Sequence, residues 1–196
     1  MTHSRTDFSS SQRAERAARL SGPLGAVLTV GAIAAAIALS PEFSWTASAL
    51  SDLGVAADPT VRLLFNGGLI AGGVVAVAYG RALGRHSTAV AVGYVLAIVA
   101  MALVGAFPSD TPLHFPVAVA FFLLATATVV IDGWRRRTTA AGRVALALAA
   151  GHALGWLLWG FEVRPGPGLA LPELGGVVMF GLWVLALAPP VRGPGA

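Results

Sequence analysis

The chain has 196 residues, of which 56% are hydrophobic and only 11% are charged, less than half the charge that a soluble domain usually carries. Every charged residue lies outside six uncharged stretches, at residues 20–41, 63–80, 87–109, 111–131, 144–161 and 174–191. This segregation excludes a water-soluble globule, a disordered chain and a DNA-binding domain, and it predicts a polytopic membrane protein. The chain contains no cysteine, which excludes disulfides, thiolate metal sites and a cysteine nucleophile.

The six uncharged stretches are predicted to be transmembrane helices, because unpaired backbone groups are costly in lipid. The predicted fold class is therefore all-α, with helices at about 20–39, 62–82, 87–107, 113–131, 142–161 and 172–188. Residues 1–19 are polar and are expected to form a mobile tail with a helical end at 14–19, followed by a single transmembrane domain at 20–190. The first stretch is longer than the apolar region of a signal peptide, which favours retention over a cleavage that would leave five spans.

Arginine accounts for every basic residue, and its distribution predicts the orientation. Of the thirteen arginines, only Arg62 and Arg164 lie outside the N-terminal tail, the alternate connections and the C-terminus. Basic residues near span ends are retained in the cytoplasm, so both termini are expected to be cytoplasmic. An arginine-only composition rich in alanine, glycine and valine indicates a prokaryote, and the expected location is its plasma (inner) membrane.

Polar side chains collect at the outer ends of the predicted helices. The connection at 40–61 is long enough to suggest a role of its own. The candidate ligand-binding and catalytic residues are Ser51, Asp52, Asn66, Asp110, His114, Glu162 and Glu173. Because helix ends converge in a bundle, these residues predict an outward-facing polar pocket. Carboxylates with a histidine would suit a divalent ion such as Mg, Mn or Zn; alternatively, Asp52 would orient His114 as a general base.

Most of these candidates also have a structural interpretation. Asp110 precedes Pro112, as a helix-capping residue does, and Glu173 suits the positive end of the sixth helix dipole. Ser51 and Asp52 are typical of a turn. Asn66 would equally form a hydrogen bond between helices beside the glycines at 68 and 72, which allow close helix approach.

The remaining polar residues near the helix ends and in the fifth span have functional and structural interpretations as well. Glu162 and Arg164 would form a solvated pair at the rim, which is worth little energetically. His114 is an ionisable group inside the membrane boundary, and such groups are functional candidates by default. His152 lies near the middle of the fifth span, where a hydrogen bond to a neighbouring helix is the simpler interpretation.

An ordered set of short motifs covers residues 40–125: Ser44 to Thr46, Ser51-Asp52-Leu53-Gly54, Phe65-Asn66-Gly67-Gly68, Gly105, Phe107-Pro108, His114 and Phe121-Phe122. With this set the chain resembles the prokaryotic membrane proteins grouped as domain-of-unknown-function family 998. The resemblance implies no activity, but it favours joint action of Asp52, Asn66 and His114. A more distant likeness to metal-dependent, multi-span ceramide hydrolases is an analogy only, because His152 has no partner histidine four residues away and six spans are predicted, not seven.

Two classes of function fit these observations. One is a lipid- or isoprenoid-processing enzyme, for example a hydrolase, with Asp52 and His114 as acid/base or metal groups and Asn66 positioning them. The other is a non-catalytic membrane module: a small transporter, a sensor or a packing subunit. No span carries a carboxylate in its middle third, which disfavours ion-coupled transport. The expected partners are the lipid bilayer and a lipid or isoprenoid ligand, with no nucleic acid; metal content and oligomeric state stay open.

Overall fold

In a computed structural model the chain forms a bundle of helices, of which residues 3–192 are described, with side chains for residues 11–190. The elements in chain order are α1 (His3–Ala38), a 3₁₀ helix (Leu50–Val55), α2 (Pro59–Ala76), α3 (Tyr79–Gly84), α4 (Thr88–Ala106), α5 (His114–Arg135), α6 (Ala140–Gly160), α7 (Ala170–Leu182), a π turn (Trp183–Leu187) and α8 (Pro189–Arg192). Within the described residues there is no strand, and six helices are long and apolar enough to span a membrane: α1, α2, α4, α5, α6 and α7 with its π turn. The predicted all-α fold with six spans is confirmed.

The first helix reaches further toward the N-terminus than the sequence indicated. The expected helical end at 14–19 is part of α1, which already begins at His3. Glu15 accepts a hydrogen bond of 2.9 Å from Arg19 one turn later, and it also forms an ion pair with Arg85 in the connection after α3. These contacts along and between helices help to keep the polar segment helical.

The first two spanning helices pack closely in antiparallel fashion through small residues. Gly68 of α2 faces Ala32 of α1, and Gly72 faces Thr29. At Gly25 an added Cβ would lie only 2.6 Å from the carbonyl oxygen of Gly72. The close helix approach that the glycines at 68 and 72 predicted is therefore present, because their missing side chains let the two backbones meet.

The connections between the spanning helices form two groups, because successive helices run in opposite directions. Residues 39–58, 107–113 and 161–169 join α1 to α2, α4 to α5 and α6 to α7, and we call this the loop end. Residues 77–87 and 136–139 form the opposite, arginine-rich side, which we call the basic end. A cytoplasmic location of the basic end stays a prediction from the positive-inside rule.

Candidate functional site

The 3₁₀ helix in the long loop-end connection carries Ser51 and Asp52. The Asp52 carboxylate accepts a hydrogen bond of 2.8 Å from the backbone N–H of Ala49, closing the first turn of its own helix. Ser51 is buried, whereas Asp52 is exposed. The local geometry is that of a capped turn, in which a carboxylate satisfies a backbone donor that the helix leaves free.

Glu173, in the first turn of α7, reaches across to the same 3₁₀ helix. Its carboxylate accepts a 2.6 Å hydrogen bond from the backbone N–H of Leu50 and a further one from the backbone of Ser51. The residue is only 6% exposed. The sequence predicted a charge at the start of the sixth span, but the carboxylate also caps a second helix that is distant in the chain.

Two backbone hydrogen bonds continue this link along the loop end. The N–H of Gly168 donates to the carbonyl oxygen of Thr46, and the N–H of Ala170 donates to that of Ser48, both at 2.9 Å. The indole N–H of Trp159 donates to the carbonyl oxygen of Gly168, also at 2.9 Å. The connection between α1 and α2 is thereby tied to the connection between α6 and α7.

Asn66 lies about two turns into α2, one turn deeper than expected because the helix already begins at Pro59, and it holds the other end of the 3₁₀ helix. Its amide nitrogen donates to the carbonyl oxygen of Gly54 at 2.8 Å. Its amide oxygen is buried without a hydrogen-bond partner and lies where a Cβ on Gly54 would come within 2.6 Å. A side chain at position 54 would displace the Asn66 amide, so the glycine permits this close approach, and Asn66 anchors the long connection.

His114 is the first residue of α5, and Asp110 lies in the turn that precedes this helix. Nδ1 of His114 is 2.8 Å from the carbonyl oxygen of Phe107, so that nitrogen carries the proton, because a carbonyl only accepts. Asp110 is exposed and does not cap α5, whose N-cap residue is Leu113 and has no side-chain cap. The hydroxyl of Thr111 instead donates to the carbonyl of Pro108 at 2.8 Å.

The expected trio of Asp52, Asn66 and His114 is not joined by any hydrogen bond in the part of the chain with described side chains. Asp52 and Asn66 line two different loop-end cavities, of about 370 and 570 Å³, and His114 lines neither. Across the described residues, no three His, Asp or Glu side chains are grouped so as to hold a metal ion. Catalytic and metal-binding roles for these residues stay predictions.

The larger of these cavities, which we call the α2 groove, lies between α2, the 3₁₀ helix and the turn before α5. It has a volume of about 570 Å³ and includes Arg62, Leu63, Asn66, Gly67, Ile70 and Asp110 in its lining. One nitrogen of Arg62 donates to the carbonyl oxygens of Ala56 and Ala57, at 2.6 and 3.0 Å. The groove thus brings together two predicted site residues, Asn66 and Asp110, and an arginine outside the main basic clusters.

His152 has both ring nitrogens engaged by neighbouring side chains. Its Nε2 accepts from the indole N–H of Trp156, and its Nδ1 donates to the hydroxyl of Thr126 on α5, both at 2.9 Å. That hydroxyl donates in turn to the carbonyl oxygen of Phe122 at 2.7 Å. His152 of α6 thus forms the hydrogen bond to a neighbouring helix, α5, that its position in the span favours.

Sequence reasoning missed a buried polar cluster at the basic end. Arg136 donates from Nε to Asp132 at 2.9 Å, forms an ion pair with the second carboxylate oxygen, and donates to the carbonyl oxygen of Leu187 at 2.9 Å. The indole N–H of Trp183 donates to Asp132 at 2.7 Å. The spacing of four between Asp132 and Arg136 is a sequence signal for this ion pair, whereas the basic run by itself indicates only orientation.

Six apolar helices with charged residues confined to their ends and connections define a multi-pass membrane protein. A family model described as "Protein of unknown function (DUF998)" matches residues 23–189, and the chain belongs to this family. The resemblance carried by the motifs at 40–125 is thereby confirmed. Searches of curated proteins and of solved structures found no match to the chain.

Proposed function

We propose that this membrane protein binds an amphiphilic lipid or isoprenoid in the α2 groove and acts as a non-catalytic module. One observation carries the proposal: the groove joins a charged rim to an apolar wall at the level where the second span begins. Arg62 and Asp110 supply the two charges, while Leu63, Gly67 and Ile70 supply the wall. A ligand with a polar head and an apolar tail matches this arrangement.

The charges at the rim favour a ligand head group that carries both signs. Arg62 uses one terminal nitrogen for the backbone carbonyls of the connection, which leaves the rest of its guanidinium fork for a phosphate. Asp110 is exposed across the groove and would accept from an ammonium group. A zwitterionic phospholipid such as phosphatidylethanolamine has both groups on one head.

The wall of the groove favours an acyl or prenyl chain. Leu63 is 73% exposed and Ile70, two turns further along α2, is exposed as well. Gly67 lies between them and leaves a depression, because an added Cβ there would contact only Leu63, at 3.5 Å. In a bilayer these apolar surfaces face hydrocarbon, and a chain packed into the depression gains dispersion contacts.

The enzyme hypothesis gains no support from the geometry. Asp52 and His114 each bond to backbone within their own connection, at 2.8 Å in both cases. A general base must reach the proton that it removes in a substrate complex, and Asp52 lines a loop-end cavity to which His114 does not contribute. The lipid-processing reaction therefore stays a prediction, and binding is the function that we propose.

The proposal is tested by native mass spectrometry of the full chain, purified in detergent, stripped of lipid and titrated with dioleoyl-phosphatidylethanolamine. Gly67→Leu fills the groove without meeting backbone, and it is expected to weaken binding about tenfold, the equivalent of roughly 1.4 kcal/mol. Gly31→Leu is the matched control, because an added Cβ on Gly31 of α1 has nothing within 4 Å. Equal binding by the wild type and by Gly67→Leu would overturn the proposal.

A further inference from the structure

We infer that the protein has a second lipid site, the α6 groove, which holds an anionic phospholipid with its phosphate at Arg164 and one acyl chain along α6. The groove has a volume of about 210 Å³ and includes Gly151, Gly155, Trp159, Arg164, Leu171 and Gly175 in its lining. It lies against α6 and α7, whereas the α2 groove lies against α2, so the two sites share no lining residue.

The floor of the groove is an open glycine surface on α6. At Gly151 and at Gly155 an added Cβ would have nothing within 4 Å, so these glycines do not serve close packing between helices of this chain. Gly151 lies nine residues before the end of α6 at Gly160, a rise of roughly 14 Å. That depth is about half of a hydrocarbon core of roughly 30 Å, which is the depth of one leaflet.

The polar groups beside the floor are already satisfied, which makes it suitable for an apolar chain. His152 contributes to the lining, but its two ring nitrogens are bonded to Thr126 and Trp156. Trp159 also lines the groove, and its indole N–H is bonded to the carbonyl oxygen of Gly168. No donor or acceptor of these side chains is left for a polar ligand to meet, so burial against hydrocarbon carries no penalty for a lost hydrogen bond.

The mouth of the groove carries a cation whose hydrogen-bonding capacity is unused. The guanidinium of Arg164 lies over the ring of Trp159, with its central carbon 4.6 Å from the ring centroid. Its nearest carboxylate is Glu162, at 3.7 Å and 82% exposed, which is beyond hydrogen-bonding distance. Arg164 makes no hydrogen bond to an acceptor among the residues with described side chains, and its fork of N–H groups matches a phosphate.

The charge of Arg164 and the depth of the α6 groove together favour an anionic phospholipid as the ligand. Arg164 is one of the two arginines that the positive-inside rule does not explain, and the other, Arg62, lines the α2 groove. An anionic phospholipid satisfies both features of the α6 groove: its phosphate pairs with Arg164, and its chain fills one leaflet's depth of open glycine surface. Aromatic residues such as Trp159 commonly lie at this boundary between head groups and chains.

The test is native mass spectrometry of the delipidated full chain with dioleoyl-phosphatidylglycerol, compared with dioleoylglycerol, which has the same chains and no phosphate. The wild type is expected to bind phosphatidylglycerol more tightly than dioleoylglycerol. Arg164→Gln is expected to weaken phosphatidylglycerol binding at one site about tenfold, the scale of a charge-assisted hydrogen bond. Gly155→Leu is expected to weaken binding at the same site because its side chain fills the groove. Gly31→Leu is the control for added bulk, and melting temperatures verify that each variant is folded.

The outcomes separate this site from the α2 groove. Arg62→Gln is expected to leave the Arg164-dependent binding unchanged, so a loss of all phosphatidylglycerol binding in Arg62→Gln alone would overturn the α6 site and leave the α2 groove intact. Equal binding of phosphatidylglycerol and dioleoylglycerol would overturn the phosphate contact. A wild-type dimer that Gly155→Leu converts to a monomer would mean that a second copy of the chain covers the glycines, and the lipid site would be wrong.

Discussion

Glu173 accepts a hydrogen bond from the backbone N–H of Leu50 at 2.6 Å, and the two residues are 123 positions apart in the chain. The bond joins the start of α7 to the 3₁₀ helix of the long connection. The far end of that helix, at Gly54 and Val55, contributes to the α2 groove. The shape of the groove therefore depends on a carboxylate that lies outside it.

We expect Glu173→Ala to destabilise the fold by about 3 kcal/mol, because it leaves the buried N–H groups of Leu50 and Ser51 without their acceptor. Denaturant unfolding in detergent measures this change. Glu162→Ala is the control: its carboxylate is 82% exposed, and surface changes of this kind usually stay within about 0.5 kcal/mol. Equal stability losses in the two variants would contradict a capping role for Glu173.

We expect Asp132→Asn to cost about 3 kcal/mol of folding stability, because it leaves the partly buried guanidinium of Arg136 without its counter-charge. The same change weakens the bond from Trp183, which joins α5 to the π turn. Arg137→Gln is the matched control, because Arg137 is exposed and lies over the ring of Trp134. If both variants unfold at the same denaturant concentration, the cluster does not join these helices.

The spans were predictable from the sequence because burial in lipid imposes a length and a polarity on each helix. The expected third span, 87–107, differs from α4 (Thr88–Ala106) by one residue at each end. The close pair of α1 and α2 followed from two glycines four residues apart, a local signal that needs no knowledge of the partner.

The polar contacts were less predictable because each depends on a partner distant in sequence. No residue near Glu173 in the sequence indicates that its carboxylate accepts from the backbone N–H of Leu50. Likewise, no residue near Asp132 indicates that its carboxylate accepts from the indole of Trp183. Asn66 lies deeper in its span than expected because α2 begins at Pro59, and its bond to Gly54 depends on how the long connection folds back. Asp52 and His114 bond to backbone within their own connections, so their side chains do not meet in a shared pocket.

We expect Tyr79→Phe to stabilise the protein by about 1 kcal/mol at neutral pH, because the tyrosine hydroxyl is buried without a partner. Burial raises the pKa of Tyr79 above its usual value, and the charge of Asp132 raises it further. The unfolded chain therefore loses this proton first, above about pH 10. Stability is unaffected by this group below that pH and falls as the pH rises past it, so the advantage of the variant should grow.

Urea unfolding of the wild type and Tyr79→Phe at pH 7 and pH 10.5 measures both parts of this prediction. A variant that is less stable than the wild type at pH 7 would show that the hydroxyl has a bonding partner. A stability difference that does not change between the two pH values would contradict the raised pKa.

We expect neutral residues at Arg135, Arg136 and Arg137 together to give a mixed membrane orientation, because the positive-inside rule predicts that these charges keep their connection in the cytoplasm. Because the chain lacks cysteine, a single cysteine introduced at Thr138 reports the side through an impermeant thiol reagent. The double variant Arg135→Gln, Arg137→Gln keeps the ion pair of Arg136 with Asp132 and separates orientation from folding. Unchanged labelling in the triple variant would contradict the assigned orientation.

Site-resolved photocrosslinking in a bilayer reports whether a lipid occupies the α2 groove. The full chain is reconstituted in vesicles that contain phosphatidylethanolamine with a photoactivatable group in one acyl chain, and labelled residues are identified by peptide mass spectrometry. We expect labelling concentrated at Leu63 and Ile70, with little at Val74, which is 69% exposed on the same helix but does not contribute to the groove. Labelling of Val74 as strong as that of Leu63 would mean that lipid contacts the exposed face of α2 without a specific site, and it would contradict binding in the α2 groove.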